Sequence, residues 1–124
     1  MRDFLNGDSI VFYVKKIRDE VNNILILIDV AMGAELNNRG IKTELPLWTA
    51  NANITHSDLI QSTHNEYICP GADIIITNTS RSTSWTYKRA GYTDNESKMR
   101  ARRSLYSAVK CAQNALKGIV QIAG

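Results

Sequence analysis

The sequence predicts an α/β fold built on a parallel sheet, and three observations carry that expectation. Residues 24–28 form an unbroken, mostly β-branched apolar run that ends at Asp29, the signature of a strand buried on both faces. Residues 72–79 repeat the pattern, with an apolar body and Thr77, Asn78 and Thr79 at the C-terminal end. Residues 118–124 read as a third strand, and each gap between these runs carries a helix-forming stretch. Repeated β-α units of this kind make parallel sheets, whose chemistry sits at the C-terminal mouths of the strands.

Each element has a local reason. Residues 8–23 are expected to be helical, with Asp8 or Ser9 as cap and Ile10, Val14, Ile17 and Val21 at three- and four-residue spacing. After Asp29, Gly33 loosens the backbone ahead of a helix starting at residues 34–36, and Gly40 is its expected C-terminal cap. Residues 45–50 form a loop containing Trp48. Thr55 and Asp58 resemble a capping box for a helix with Leu59, Ile60, Thr63 and Tyr67 on one face, which stops near Pro70 and Gly71. Residues 80–91 read as a polar, turn-rich loop that includes Trp85 and Tyr87. Thr93 and Glu96 make a proper capping box. The helix behind it is expected to bury Leu105, Ala108, Val109, Ala112 and Leu116.

Composition narrows the function classes. The chain of 124 residues suits one small domain, and 44% hydrophobic with 22% charged residues is ordinary for a globular protein. No apolar run approaches the ~20 residues of a membrane span. No secretory signal is evident, so a cytoplasmic location is expected. The net charge of +3 does not itself call for nucleic acid. Cys69 and Cys111 read as two buried thiols rather than a disulfide. His56 and His64 have no partner at metal-ligand spacing, and His64 is expected at a helix surface or edge. Lys98, Arg100, Arg102 and Arg103 read as a solvated helix face without interleaved aromatics. The hydroxyl-rich residues 80–84 lack a glycine-rich phosphate cradle.

The ordered motifs resemble a known family. Residues 29–36 read Asp-Val-Ala-Met-Gly-Ala-Glu-Leu, followed by Arg39-Gly40 and by Leu-Trp-Thr-Ala at 47–50. The homocysteine S-methyltransferases typically read Asp-Gly-Ala-Met-Gly-Thr-Glu-Leu, Arg-Gly and Leu-Trp-Ser-Ala in that order. The likeness continues through residues 64–67, 71–79, 89–92 and 122–124, and the Leu-Trp-x-Ala spacing looks most like members that use S-methylmethionine. Val30, Ser80 and the Cys69-Pro70 pair depart from the family pattern, which carries glycine, an aromatic residue and alanine or similar there.

The resemblance implies a (β/α)8 barrel, which typically needs ~250 residues. This chain would hold the first two to three βα units of a truncated barrel: residues 1–22 as an N-terminal helical extension and 23–124 as a partial homocysteine-binding domain. It implies methyl transfer to the homocysteine thiol from a donor such as S-methylmethionine. In the family, the thiol is activated on zinc held by cysteine ligands, and neither Cys69 nor Cys111 aligns with those. The chain is therefore expected to be inactive alone. The implied substrate-binding residues are Asp29, which would hold the amino group of homocysteine, with Thr77, Asn78, Thr79 and Trp48 lining the same pocket. A chain ending on a strand reads as cut, with open sheet edges. Two other readings stand beside this one: a catalytically dead short protein that self-associates, and a small basic module that binds an anionic partner through its last helix.

Overall fold

The computed structural model describes residues 32–68, 71–115 and 120–124, together with Lys16, Glu20, Ile26 and Ile28. Asp29, Val30, Cys69, Pro70 and Leu116 lie outside the described residues, as do most of the expected first helix and first strand. Within the expected 8–23 helix, Lys16 and Glu20 are helical and exposed.

In chain order the elements are α1 (Met32–Asn38), α2 (Ala52–Thr55), α3 (Ser57–Ile68), β1 (Ile74–Ile76), α4 (Ser84–Arg89), α5 (Asp94–Ala115) and β2 (Gln121–Ala123). β1 and β2 pair in parallel, with Ile74, Ile75 and Ile76 opposite Gln121, Ile122 and Ala123. Ile28 bridges Ile74, also in parallel. Ile28, β1 and β2 therefore lie side by side in sequence order, the arrangement of an α/β chain with helical crossovers.

The alternation of β1 separates two faces. Ile75 is fully buried and packs with Ile68 of α3, with Ala112 and Ala115 of α5, and with Val120 and Ile122. Ile76 points the other way and is 39% exposed, while Ile28 and Ile26 are 46% and 67% exposed. Burial of strand residues 24–28 on both faces is thus not found at its two described positions. Among the described residues one helix layer covers one face of the sheet, so side chains on the opposite face meet solvent.

A second core joins Leu36 of α1, Ala52 of α2, Ile60 of α3 and Cys111 of α5, with Met32, Ile41 and Leu59 packed around it. Helix α1 ends as expected. Gly40 has a φ of +85°, Ile41 N–H donates to Leu36 O at 2.9 Å, and Gly40 N–H donates to Asn37 O at 3.0 Å. Ile41 then packs back near Leu36, the hydrophobic contact that accompanies this cap.

Four local expectations are corrected. Thr55 is the last residue of α2 and caps nothing, because its hydroxyl bonds Asn51 O and His56 Nδ1. The 80–91 stretch contains α4, capped by Thr83, whose hydroxyl accepts from Thr86 N–H at 3.1 Å. His64 is fully buried in α3 rather than at its surface.

The fourth correction concerns α5. Its capping box is formed as expected: Thr93 N–H donates to Glu96 Oε2 at 2.9 Å and Glu96 N–H to Thr93 Oγ1 at 3.3 Å. Its buried stripe is Ser97, Ala101, Ser104, Ala108, Cys111, Ala112 and Ala115, whereas Leu105 and Val109 are 41% and 38% exposed. Ala108 and Ala112 are buried as expected, and the packed face turns from Leu105 and Val109 toward Ser97, Ala101, Ser104 and Cys111. Small side chains let the α5 backbone approach α2, α3 and α4 closely, and they win that face over bulkier neighbours.

Candidate functional site

A cavity of about 250 Å³ opens beyond the C-terminal end of β1. This is where parallel sheets place their ligands. Helix α1 contributes Met32 and Gly33, the 45–50 loop contributes Trp48 and Thr49, and the β1 mouth contributes Ile76, Thr77, Asn78 and Ser80.

Trp48 forms the aromatic wall. Its φ of 51° places a bulky residue in the left-handed region, an uncommon conformation that surrounding contacts must hold. Its N–H donates to Glu44 O at 2.7 Å. Its indole lies against α1, where a Cβ on Gly33 would stand 2.8 Å from the indole Nε1. Gly33 therefore does not loosen the backbone, as its sequence context suggested. It sits inside the helical range of α1, and its missing side chain makes room for Trp48.

The strand mouth is tied to its neighbours. Thr77 N–H donates to Ala123 O at 2.8 Å, extending the ladder to β2. The Thr77 hydroxyl lies 3.0 Å from that of Thr79. Asn78 is buried, and its side chain is fully engaged within the protein. Its Oδ1 accepts from Thr49 Oγ1 at 2.5 Å, and its Nδ2 donates to Thr49 O at 3.0 Å and Asn53 Oδ1 at 2.9 Å.

Of the expected site residues, the structure brings Trp48, Thr77 and Asn78 together on one cavity. Thr79 stands behind Thr77 and reaches the cavity only through that hydroxyl contact. Asp29 lies outside the described residues. Sequence reasoning missed Ile76 as a lining residue and Asn53 as a partner of Asn78. Nothing in the local pattern of residues 51–55 marks a fully buried asparagine, since its partners are 25 or more residues away.

The described lining groups are apolar, hydroxyl or amide, so they can hold and orient a ligand but supply no acid or base at neutral pH. Nor do the described residues fit a thiolate metal site. Among them no three His, Cys, Asp or Glu side chains cluster closely enough to hold an ion. Cys111 is buried on α5, its thiol donates to Ser57 O at 3.3 Å, and burial pushes its pKa up, against the thiolate a metal needs.

Part of the basic face of α5 is committed within the chain, while Arg102 and Arg103 are exposed. Lys98 pairs with Asp94 at 2.9 Å, Arg100 stacks on Tyr92 at 4.2 Å, and Lys110 lies over Tyr106. No aromatic interleaves residues 98–103, while Tyr92 before the helix and Tyr106 beyond the cluster serve as intramolecular platforms for Arg100 and Lys110. No described helix is long and apolar enough to cross a membrane.

The homocysteine S-methyltransferase family model matches residues 26–124. The chain is 33% identical over 91 residues to homocysteine S-methyltransferase YbgG of Bacillus subtilis, covering 73% of this chain and 28% of that protein. It is 30% identical over 105 residues to homocysteine S-methyltransferase of Escherichia coli, covering 81% and 34%. It is 36% identical over 74 residues to selenocysteine methyltransferase of Astragalus bisulcatus, covering 60% and 22%. The chain thus spans about a fifth to a third of the length of these curated relatives. No solved structure matches it. The family match covers most of the chain, including every lining residue of the cavity, and the chain belongs to the homocysteine S-methyltransferase family.

Proposed function

We propose that residues 23–124 form the opening βα units of a (β/α)8 methyltransferase barrel and that the cavity beneath Trp48 is its amino-acid acceptor pocket, with residues 1–22 as an N-terminal extension. The observation that carries this reading is the cavity at the shared mouth of parallel strands, lined by Trp48, Thr77 and Asn78 within the family match. Relatives named for homocysteine and selenocysteine point to a thiol or selenol amino acid as acceptor, and the family resemblance to S-methylmethionine as donor. In this reading the Trp48 indole covers the aliphatic part of homocysteine, the Thr77 hydroxyl faces its polar groups, and Asp29 binds its ammonium group.

The zinc of the family has no fitting ligand set among the described residues. The isolated chain is proposed to bind the acceptor without transferring a methyl group. A titration of L-homocysteine into the ¹⁵N-labelled chain tests the first half. Saturable movement of the Trp48 indole and Thr77 amide resonances is expected, and unmoved resonances refute the pocket. Incubation with zinc, homocysteine and S-methylmethionine tests the second half, and zinc-dependent formation of methionine refutes it.

One observation favours self-association beside this role. Leu105, Tyr106 and Val109 form an exposed apolar face on α5, and Ile26, Ile28 and Ile76 are exposed on the sheet. Light scattering at micromolar concentration is expected to show a dimer or larger species, and a monomer refutes the association.

A further inference from the structure

We propose that Asn53 is a positioning residue for the cavity. It lies outside the lining set, yet its contacts fix the strand mouth that carries Asn78. Asn53 is fully buried in α2. Its Nδ2 donates to the backbone oxygen of Asn78 at 2.7 Å, and its Oδ1 accepts from the side chain of Asn78 at 2.9 Å. One side chain thus holds both the backbone and the rotamer of Asn78. Asn78 in turn clasps Thr49, the neighbour of Trp48.

Asn53 is itself anchored from α5. Its Nδ2 also donates to Ser104 Oγ at 3.0 Å, and its backbone oxygen accepts from Ser107 Oγ. Ser104 bonds onward to Ala50 O at 2.8 Å and lies 2.7 Å from Ser82 Oγ. The loop behind Trp48, the β1 mouth and the segment before α4 therefore converge on one buried polar centre. Satisfied buried networks of this kind specify a single arrangement, because a displaced member leaves a desolvated donor or acceptor behind. An apolar residue at position 53 could fill the space, but it would take the side-chain donor from Asn78 O and leave the Asn78 side chain held by Thr49 alone.

The ligand-binding part of this inference rests on the acceptor-pocket reading, whereas the positional part does not. The test uses the ¹⁵N-labelled chain with Asn53→Leu and L-homocysteine as probe. The Asn78 side-chain amide and Trp48 indole resonances are expected to move, while that of Trp85, exposed on α4, stays. Homocysteine affinity is expected to fall about fivefold, the equivalent of one net hydrogen bond. Ala115→Gly, which weakens α5 where it packs on Ile75, two turns beyond Ser107, is expected to lower Tm with both resonances unmoved. If Asn53→Leu does not fold, Ser104→Ala removes its α5 anchor and is expected to move the same resonances in the same direction.

A folded Asn53→Leu with both resonances unmoved overturns the proposal, as does a Ser104→Ala that leaves them unmoved when Asn53→Leu fails to fold. Equal movement in Ala115→Gly also overturns it, by reducing Asn53 to general stability. If the wild-type chain ignores homocysteine while Asn53→Leu still moves Trp48, the pocket reading falls and the positioning role stands.

Discussion

Replacing Gly33 with alanine sets two effects of known sign against each other. The new Cβ would lie 2.8 Å from Trp48 Nε1 and 3.2 Å from two further ring carbons, so the indole must retreat by about 0.6 Å to restore an ordinary ~3.4 Å contact. Alanine in a helix gains about 0.5–1 kcal/mol over glycine, nearer the lower figure in a first turn. A gap of that size forfeits a quarter to a half of each atom-pair contact, about 0.5 kcal/mol over roughly ten pairs. The backbone of α1 cannot give way easily, but Trp48 is 43% exposed and can. Stability should therefore stay within about 0.5 kcal/mol of wild type while the cavity wall moves. Thermal melts of the four members of a Gly33→Ala, Trp48→Ala cycle measure this. In the Trp48→Ala background the clash is absent, and Gly33→Ala should raise Tm by about 2–4 °C. In the wild-type background it should change Tm little, while the Trp48 indole resonance shifts. Equal effects of Gly33→Ala in both backgrounds would show that the indole does not rest on Gly33.

The remaining predictions concern the scaffold. Asp94 is held to a pKa of about 2 by its ion pairs with Lys88 at 2.6 Å and Lys98 at 2.9 Å. A carboxylate depressed on folding stabilises above its unfolded value of 3.8, and that contribution is lost as pH falls through about 2. Carboxyl ¹³C titration should show that midpoint, and Lys88→Met or molar salt should raise it towards 3.8. Thr93→Ala removes the acceptor for Glu96 N–H and should cost about 1 kcal/mol in denaturant melts, while a loss below a few tenths would remove the capping box from the stability of α5. Leu36 is fully buried between α1, α2, α3 and α5, so Leu36→Ala should cost about 2–5 kcal/mol, and a loss under 1 would place that cluster outside the cooperative core.

What could be read from the sequence divides along a physical line. Apolar runs at 24–28 and 74–76 announce strands because their pattern is local, and the parallel pairing of Ile28, β1 and β2 follows from the helices between them. Thr93 with Glu96, and Gly40 after α1, are legible because a cap is a matter of a few neighbouring residues. Trp48, Thr77 and Asn78 could be placed at one site because the family motifs carry them. The failures have one origin. Thr55 and Asp58 mimic a capping box, yet the chain spends Thr55 on closing α2. Leu105 and Val109 mimic a core stripe beside Ala108 and Ala112, yet proximity to α2, α3 and α4 favours Ser104 and Cys111 over them. The competing partner in each case is decided by the fold rather than by near neighbours.

The turned face of α5 and the cavity wall are two consequences of the same packing. A leucine on the inner face of α5 would hold α2 at arm's length and offer no hydrogen bond. Serine at 104 lets the backbones approach and returns a hydroxyl to Ala50 O, with Asn53 donating to it in turn. Ser107 adds a bond to Asn53 O from the next turn. The close approach is what brings Asn53 within reach of Asn78 from one side and of α5 from the other. Apolar contacts hold α3 and α5 on the sheet, where an error of a fraction of an ångström is absorbed by repacking. At the strand mouth the partners are directional, so displacement breaks bonds instead of stretching contacts. Trp48 and Asn78 belong to segments that share no strand or helix. Their relative position is therefore set by polar geometry, and the polar serines of α5 are part of the cavity's architecture.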